Sequence, residues 1–336
     1  MWRRALTTIP KVGREEWASC GLLSRWLLVS RGAVLLLTVL SVALGTLFAA
    51  LQGPVDWWLL PPLALGLVLA HAASNLINDL EDFHSGVDEG NYFRVQYGPH
   101  PILSGFLTEK ELRTWAATTA AAALACGALL VWVRGPWVGL LALVGLVLAL
   151  GYASRPGLKY LGLGEVAVFL IWGPLMVAGS AFVLTGALSL FALLGAIPSG
   201  LGATLVILGK HIDKLQDDAR RGIRTLPVIL GEPRARFAMR VLLVAMPASV
   251  VALVLGGRLP VPSLLALLSL PVAVPAWRVL RGPHPENPPP GYPAGAWPLW
   301  FVGFGFLLNR SFAGWYAVGL VLALGLHVLG VRLPDL

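Results

Sequence analysis

The chain has 336 residues, a formal net charge of +8 and a mean hydropathy of +0.76, with 57% hydrophobic and only 12% charged residues. This composition excludes an ordinary soluble domain and indicates an integral membrane protein. The only two cysteines, Cys20 and Cys126, indicate neither a disulfide framework nor a thiolate metal site.

The first 31 residues form a basic leader before the first apolar run. It lacks a compact apolar core and a small-residue cleavage site, so we expect a segment on the cytoplasmic membrane surface and not a cleaved signal peptide. The predicted organisation is this leader at 1–31 followed by a single transmembrane domain at 32–336.

Apolar runs of about 20 residues, the length that crosses ~30 Å of hydrocarbon, recur along the chain. The stretch 295–331 could hold two spans, but Asn309 and Arg310 interrupt it, so we predict nine spans, with ten as the alternative. The ten-residue alternation of a membrane barrel is not seen, which predicts an all-α polytopic helical bundle around a central cavity. The other eight predicted spans are 32–52, 57–77, 112–133, 136–153, 163–184, 188–208, 236–256 and 259–281.

Positive residues predict the orientation, because Lys and Arg remain on the cytoplasmic side of a membrane. With the N-terminus inside, all but four of the 25 Lys and Arg residues fall in inner segments. The exceptions are Arg134, Arg258, Arg310 and Arg332. Both long loops, after spans two and six, then lie inside, and the charge is explained by topology and anionic lipid, without a nucleic-acid partner.

The first acidic motif, NLINDLEDFHSGVDE at 75–89, directly follows span two. Asn75, Asn78, Asp79 and Asp82 are spaced to share one face of a continuing helix, and Asp88 follows a Ser-Gly break that lets the chain turn back. Solvated loop acids are the alternative. Like charges one turn apart repel, however, and asparagines below the head groups are costly, so a divalent cation such as Mg²⁺ is favoured.

The second acidic motif, GKHIDKLQDDARRGIRTLPVILG, follows span six and combines acids with bases. Carboxylates suit a metal and cations suit phosphate oxygens, so the mixture fits a metal-bound diphosphate, with a salt-bridged amphipathic loop as the alternative. The acids are Asp213, Asp217 and Asp218, and the bases are Lys210, Lys214, Arg220, Arg221 and Arg224.

These two motifs resemble the aspartate-rich motifs of the UbiA superfamily of intramembrane prenyltransferases, in the form of its menaquinone-branch members. Between them, YASRPGLKYLGLGE and WGPLMVAGS resemble the Tyr-containing loop and the following helix of that branch. Lys214 stands where the family pattern has an acid, so the aspartates of the second motif remain alternatives, with Asp213 ranked first.

The resemblance implies Mg²⁺-dependent transfer of an isoprenyl group from a polyprenyl diphosphate to an aromatic quinone-precursor acceptor, through an allylic cation. It also implies two Mg²⁺ ions. Tyr152 is expected to face the allylic cation, and the alternative is a tyrosine of the aromatic belt at the membrane interface. The implied metal ligands are Asn78, Asp82, Asp88, Asp213, Asp217 and Asp218, and Asp79 and Tyr152 complete the catalytic set. The expected diphosphate-binding residues are Asn75, Arg94, Arg155, Lys159, Lys210, Arg220, Arg221 and Arg224.

The sequence leaves other functions open. The same fold could cyclise the cation as a terpene cyclase or prenylate a lipid or tetrapyrrole acceptor, and a non-catalytic transporter or lipid-binding protein is a third possibility. We expect His84 and His211 to support ligands or donate to phosphate, and 91–101 to cap the site. A prokaryotic cell membrane is expected, whereas acceptor identity, chain length and oligomeric state stay open.

Overall fold

The computed structural model describes residues 1–86, 98, 100–153, 157–293 and 296–331, apart from the side chain of Ala153. Within these ranges the chain is helical and contains no β-strand. The α-helices are α1 (Trp2–Thr7), α2 (Arg14–Ser19), α3 (Leu22–Val29), α4 (Gly32–Gln52), α5 (Leu60–His84), α6 (Glu109–Arg134), α7 (Pro136–Ala153), α8 (Gly164–Leu170), α9 (Gly179–Thr185), α10 (Leu190–Gly195), α11 (Ile197–Asp213), α12 (Leu215–Arg220), α13 (Leu226–Leu230), α14 (Glu232–Leu255), α15 (Leu270–Val279) and α16 (Phe301–Val328).

Eight helical segments of the described chain are long and apolar enough to cross a membrane. The shorter apolar helix α7 coincides with the ninth predicted span, at 136–153. The eight segments are Gly32–Gln52, Trp57–His84, Glu109–Arg134, Gly164–Thr185, Leu190–Asp213, Glu232–Leu255, Val261–Val279 and Phe301–Val328. These nine helices confirm the prediction of a polytopic helical bundle.

The last predicted stretch, 295–331, contains one long helix, α16, which favours nine spans over ten. Asn309 does not interrupt this helix because its side chain is buried against α11, where a Cβ on Gly202 would lie 2.1 Å from Asn309 Oδ1. The polar side chain is thus accommodated by a close helix contact and the span continues through it.

The span Gly164–Thr185 changes its helical pitch midway. Between α8 and α9, residues Ile171–Ala178 form a π-helix that contains Pro174. Proline lacks the N–H that an α-helix needs at this position, and the wider turn accommodates it.

The core of the bundle surrounds α4 and α16, where Phe48, Phe312 and Tyr316 are fully or nearly fully buried. A Cβ on Gly45 of α4 would lie 2.4 Å from the carbonyl oxygen of Val177 in the π-helix. Only glycine therefore lets α4 and the π-helix approach so closely. By contrast, many large apolar side chains on the outside of the bundle are exposed. Together with the spans, this apolar exterior fits a multi-pass integral membrane protein.

The N-terminal leader folds onto one end of the bundle. The ring of Trp17 stacks on Phe106 with centroids 4.6 Å apart, and Leu27 and Leu28 are buried in the same cluster as Leu76 of α5. The leader therefore packs against the end of α5 that carries the first acidic motif.

Candidate active site

The C-terminal half of α5 presents Asn78 and Asp82 to a lysine from the loop after α7. Asn78 Nδ2 donates a hydrogen bond to Asp82 Oδ2 at 2.7 Å, and Lys159 Nζ lies 3.5 Å from Asp82 Oδ1. The side chains of Lys159 and Asp82 are 12% and 15% exposed. An acid, an amide and an ammonium group thus meet in a partly buried place at the end of this helix.

The other two polar residues of the predicted stripe face the leader instead. Asn75 Nδ2 donates to the carbonyl oxygen of Ser30 at 2.9 Å, and the fully buried Asp79 forms an ion pair with Arg31. The prediction of one shared face therefore needs correction, because the stripe divides into two i, i+4 rows. At 3.6 residues per turn the two rows lie about 60° apart around the helix, wide enough to contact different neighbours.

The second motif places two carboxylates on the short helix α12. Lys214 Nζ lies 3.4 Å from Asp218 Oδ1, and an Arg220 nitrogen lies 4.0 Å from Asp217 Oδ1. Asp217 Oδ2 is buried and has no hydrogen-bond partner in the described chain. Burial raises the pKa of the Asp217 carboxyl, while Arg220 and Lys214 oppose this shift. Asp217 Oδ2 is therefore an oxygen that a bound cation could satisfy.

Asp213, ranked first in the second motif, is engaged elsewhere. Its two carboxylate oxygens accept hydrogen bonds from the backbone N–H groups of Phe301 and Val302, at 2.9 and 3.0 Å. The first N–H groups of a helix have no acceptor within the helix, and a carboxylate satisfies them favourably. We therefore interpret Asp213 as the cap of α16 and no longer rank it among the metal ligands.

The two motifs meet at one end of the bundle, as the predicted topology requires. Arg221 Nη1, from the second motif, donates to the carbonyl oxygen of Gly86 at the end of the first, at 3.2 Å. The loop that carries Lys159 packs on α13, where a Cβ on Gly162 would lie 2.5 Å from Ile229 Cδ1. Three separate stretches of sequence are thereby joined in one site.

A third group of polar residues lies beside this loop. Tyr152 Oη and His211 Nε2 are 3.1 Å apart, and His211 Nδ1 and Glu165 Oε1 are 2.8 Å apart. His211 and Glu165 are both buried. Glu165 was not predicted as a site residue, although a carboxylate at the start of an apolar span indicates a need for a buried partner.

The remaining predicted residues divide into described and undescribed positions. Lys210 lies in the last turn of α11, Arg220 and Arg224 are exposed, and His84 pairs with Glu109 at 3.0 Å. The predicted site residues outside the described ranges are Asp88, Arg94 and Arg155, and most of the predicted cap at 91–101 lies outside them too.

The donor atoms of the two motifs suit Mg²⁺. Over the described ranges, no three Asp, Glu, His or Cys side chains converge closely enough to hold a metal ion by themselves. Mg²⁺ commonly binds through one or two carboxylates together with substrate phosphates and water. Asp82 with the amide oxygen of Asn78, and Asp217 with its buried oxygen lacking a partner, fit this mode of binding.

Fold and site together define a polytopic helical membrane protein with an acid-and-base site at one end of the bundle. The model of the UbiA prenyltransferase family matches residues 38–292. The chain belongs to the UbiA prenyltransferase family and is a prenyltransferase, as its sequence motifs predicted. This membership sets aside the non-catalytic transporter.

Individual relatives agree with the family assignment. The chain is 31% identical over 244 residues to UbiA prenyltransferase domain-containing protein 1 of Danio rerio, covering 71% of this chain and 70% of that protein. It is 29% identical over 224 residues to 1,4-dihydroxy-2-naphthoate octaprenyltransferase of Mycobacterium tuberculosis, covering 66% and 74%. A solved UbiA homologue from Archaeoglobus fulgidus bound to GPP and Mg²⁺ shares the fold, with a TM-score of 0.61, 14% identity and coverage of 88% and 99%.

Proposed function

We propose that this prenyltransferase uses Mg²⁺ to transfer an isoprenyl group from a polyprenyl diphosphate to an aromatic, hydroxylated quinone precursor. The observation that carries the proposal is the meeting of Asn78, Asp82 and Lys159, at 2.7 and 3.5 Å, where acidic and cationic groups lie side by side. A diphosphate carrying Mg²⁺ needs both kinds of partner.

Asn78 and Asp82 would hold one Mg²⁺ ion, and Asp217 and Asp218 the second. The buried, unpartnered oxygen of Asp217 supports its role, because a bound cation would satisfy it. When bound, Mg²⁺ supplies positive charge that stabilises the departing diphosphate.

The chain's own cations would orient the donor. The Lys159 ammonium group lies beside Asp82 and donates to diphosphate oxygens, while the exposed Arg220 reaches the same anion from α12. Arg221, through Gly86, holds the two motifs together. With the diphosphate oxygens bound, the allylic C–O bond breaks and the acceptor attacks the isoprenyl cation.

The aromatic acceptor is supported by the bacterial relative, which is named for 1,4-dihydroxy-2-naphthoate. We also propose that the site faces the cytoplasm, since nearly all the Lys and Arg residues lie at that end of the predicted topology. The two sequence relatives come from an animal and a bacterium, so the prokaryotic origin remains a prediction.

The test is incubation of the purified protein in detergent with Mg²⁺, labelled polyprenyl diphosphates of several lengths and a panel of acceptors. The panel includes 1,4-dihydroxy-2-naphthoate, 4-hydroxybenzoate, a glycerol phosphate and a tetrapyrrole. We expect a prenylated aromatic product, with EDTA abolishing turnover and added Mg²⁺ restoring it. A cyclised hydrocarbon, or a product on the glycerol or tetrapyrrole alone, would overturn the aromatic assignment.

A further inference from the structure

Glu165, His211 and Tyr152 form a hydrogen-bonded chain that links three helices. Glu165 lies in the first turn of α8, His211 in the last turn of α11 and Tyr152 near the end of α7. With an ionised Glu165 and a neutral imidazole, His211 Nδ1–H donates to Glu165 across 2.8 Å. Nε2 then carries the lone pair, and the Tyr152 hydroxyl donates to it across 3.1 Å.

We propose that Tyr152 is the catalytic base that takes the hydroxyl proton of the acceptor, with His211 and Glu165 as positioning residues that act through it. The inference rests on the proposed function and deepens it. It names the acceptor class as a compound with an acidic hydroxyl group, which a cyclising enzyme would not need.

The hydrogen-bonded chain of Glu165, His211 and Tyr152 lies next to the proposed donor site. A Cβ on Gly164 would lie 3.1 Å from Tyr152 Cε2, 3.5 Å from His211 Cε1 and 3.5 Å from Lys159 Cα. Lys159 in turn reaches Asp82 at 3.5 Å. The base and the diphosphate-binding lysine thus share one small glycine as a neighbour, and an acceptor held at Tyr152 would adjoin the allylic carbon.

A role limited to packing would not require these groups. Glu165 is buried, and its second oxygen, Oε2, has no hydrogen-bond partner among the described residues. Burying a carboxylate with one unsatisfied oxygen costs stability that apolar side chains of similar size would not. The arrangement does, however, stabilise an imidazolium ion that forms when His211 accepts a proton.

Proton transfer from the acceptor begins the proposed reaction. The acceptor O–H bond breaks and its proton moves to Tyr152 Oη, while the tyrosine's own proton moves to His211 Nε2. The C–O bond to diphosphate breaks with its electron pair on the leaving oxygen, and the electron pair of the activated ring carbon then forms a C–C bond to the allylic cation. The ring-carbon proton then leaves to the released diphosphate and restores aromaticity. Finally His211 returns its proton through Tyr152 to the product oxygen.

The experiment compares wild type with Tyr152→Phe, His211→Asn and Glu165→Gln, using a hydroxylated aromatic acceptor and a more acidic, fluorinated analogue. Diphosphate release and prenylated product are measured together, and thermal melting checks the fold. We expect product formation to fall about 100-fold, the scale of general base catalysis. Diphosphate release would fall less, because ionisation of the donor persists and water captures the cation.

The acidic acceptor should restore part of the lost rate, and Glu165→Asp should retain more activity than Glu165→Gln. Thr118→Val, which removes an exposed hydroxyl group from α6, serves as the control and should behave as wild type. Equal loss of diphosphate release and product, with no benefit from the acidic acceptor, would overturn the relay. Failure of the wild-type protein to prenylate any acceptor would instead overturn the proposed function.

Discussion

Arg31 and Asp79 form an ion pair inside the protein, with the Arg31 side chain 9% exposed and that of Asp79 fully buried. The pair joins the leader to the middle of the first acidic motif on α5. Because neither charge is solvated, each depends on the other for stabilisation. The leader therefore helps to fix the helix that presents Asn78 and Asp82.

Replacing Arg31 by Met should lower the free energy of unfolding by about 3–5 kcal/mol, since it removes a charged partner of the buried Asp79 carboxylate. Thermal and denaturant unfolding in detergent would measure the change. Arg113→Met, which removes a surface partner of Glu109 with a side chain 64% exposed, should change the stability much less, because solvent screens this pair. Adding Asp79→Leu to Arg31→Met should recover part of the loss, and equal effects of the two arginine variants would contradict a buried pair.

Asp213→Ala separates the capping role from a metal role. Loss of the hydrogen bonds to Phe301 and Val302 should destabilise the protein by about 3–6 kcal/mol, the scale of two bonds to a charged acceptor. The Mg²⁺ concentration that gives half-maximal activity should stay unchanged below the unfolding temperature. A large rise in that concentration would return Asp213 to the metal ligands.

The raised pKa of Asp217 predicts a pH-dependent requirement for Mg²⁺. Protons and Mg²⁺ compete for the same carboxylate, and a raised pKa makes this competition begin at a higher pH than for an ordinary aspartate. As the pH falls below this pKa, the half-saturating Mg²⁺ concentration should rise by up to about tenfold per pH unit.

Titration of activity with Mg²⁺ at several pH values checks this prediction. Asp217→Asn should need more Mg²⁺ throughout and should lose this part of the pH dependence. The exposed Glu286→Gln is the control and should follow wild type. An unchanged pH slope in Asp217→Asn would assign the competition to a different group.

Lys159→Met tests whether Lys159 binds the diphosphate of the donor. Loss of one charge-assisted hydrogen bond should raise the KM for the polyprenyl diphosphate about tenfold or more, with little effect on the KM for the acceptor. Steady-state kinetics with each substrate varied in turn would show the difference. Lys110→Met, at an exposed position on α6, should leave both values unchanged, and an equal rise for both substrates would argue for general disturbance of the site.

The fold was predictable because length and apolarity directly encode a membrane span. The nine spans match helices closely, and α5 continues as a helix through Asp82 as its spacing indicated. The meeting of the two motifs also followed from topology, since the ends of spans two and six must lie on the same side.

Which neighbour each polar residue contacts was less predictable. Helical spacing places Asn75, Asn78, Asp79 and Asp82 on one broad face but does not show that Arg31, far earlier in the chain, pairs with Asp79. Asp213 was likewise ranked first among the aspartates of the second motif, and nothing in the sequence indicated that it caps a helix. Its role depends on where α16 begins, which is a tertiary contact and leaves no local pattern.

Acidic residues of both motifs are proposed to bind the donor diphosphate through Mg²⁺. Calorimetry with a non-reactive thiolodiphosphate analogue of the donor measures this binding. We expect binding in the presence of Mg²⁺, at least about tenfold weaker binding in Asp82→Asn and in Asp217→Asn, and little binding in EDTA. Equal affinity with and without Mg²⁺, or full affinity in both variants, would contradict it.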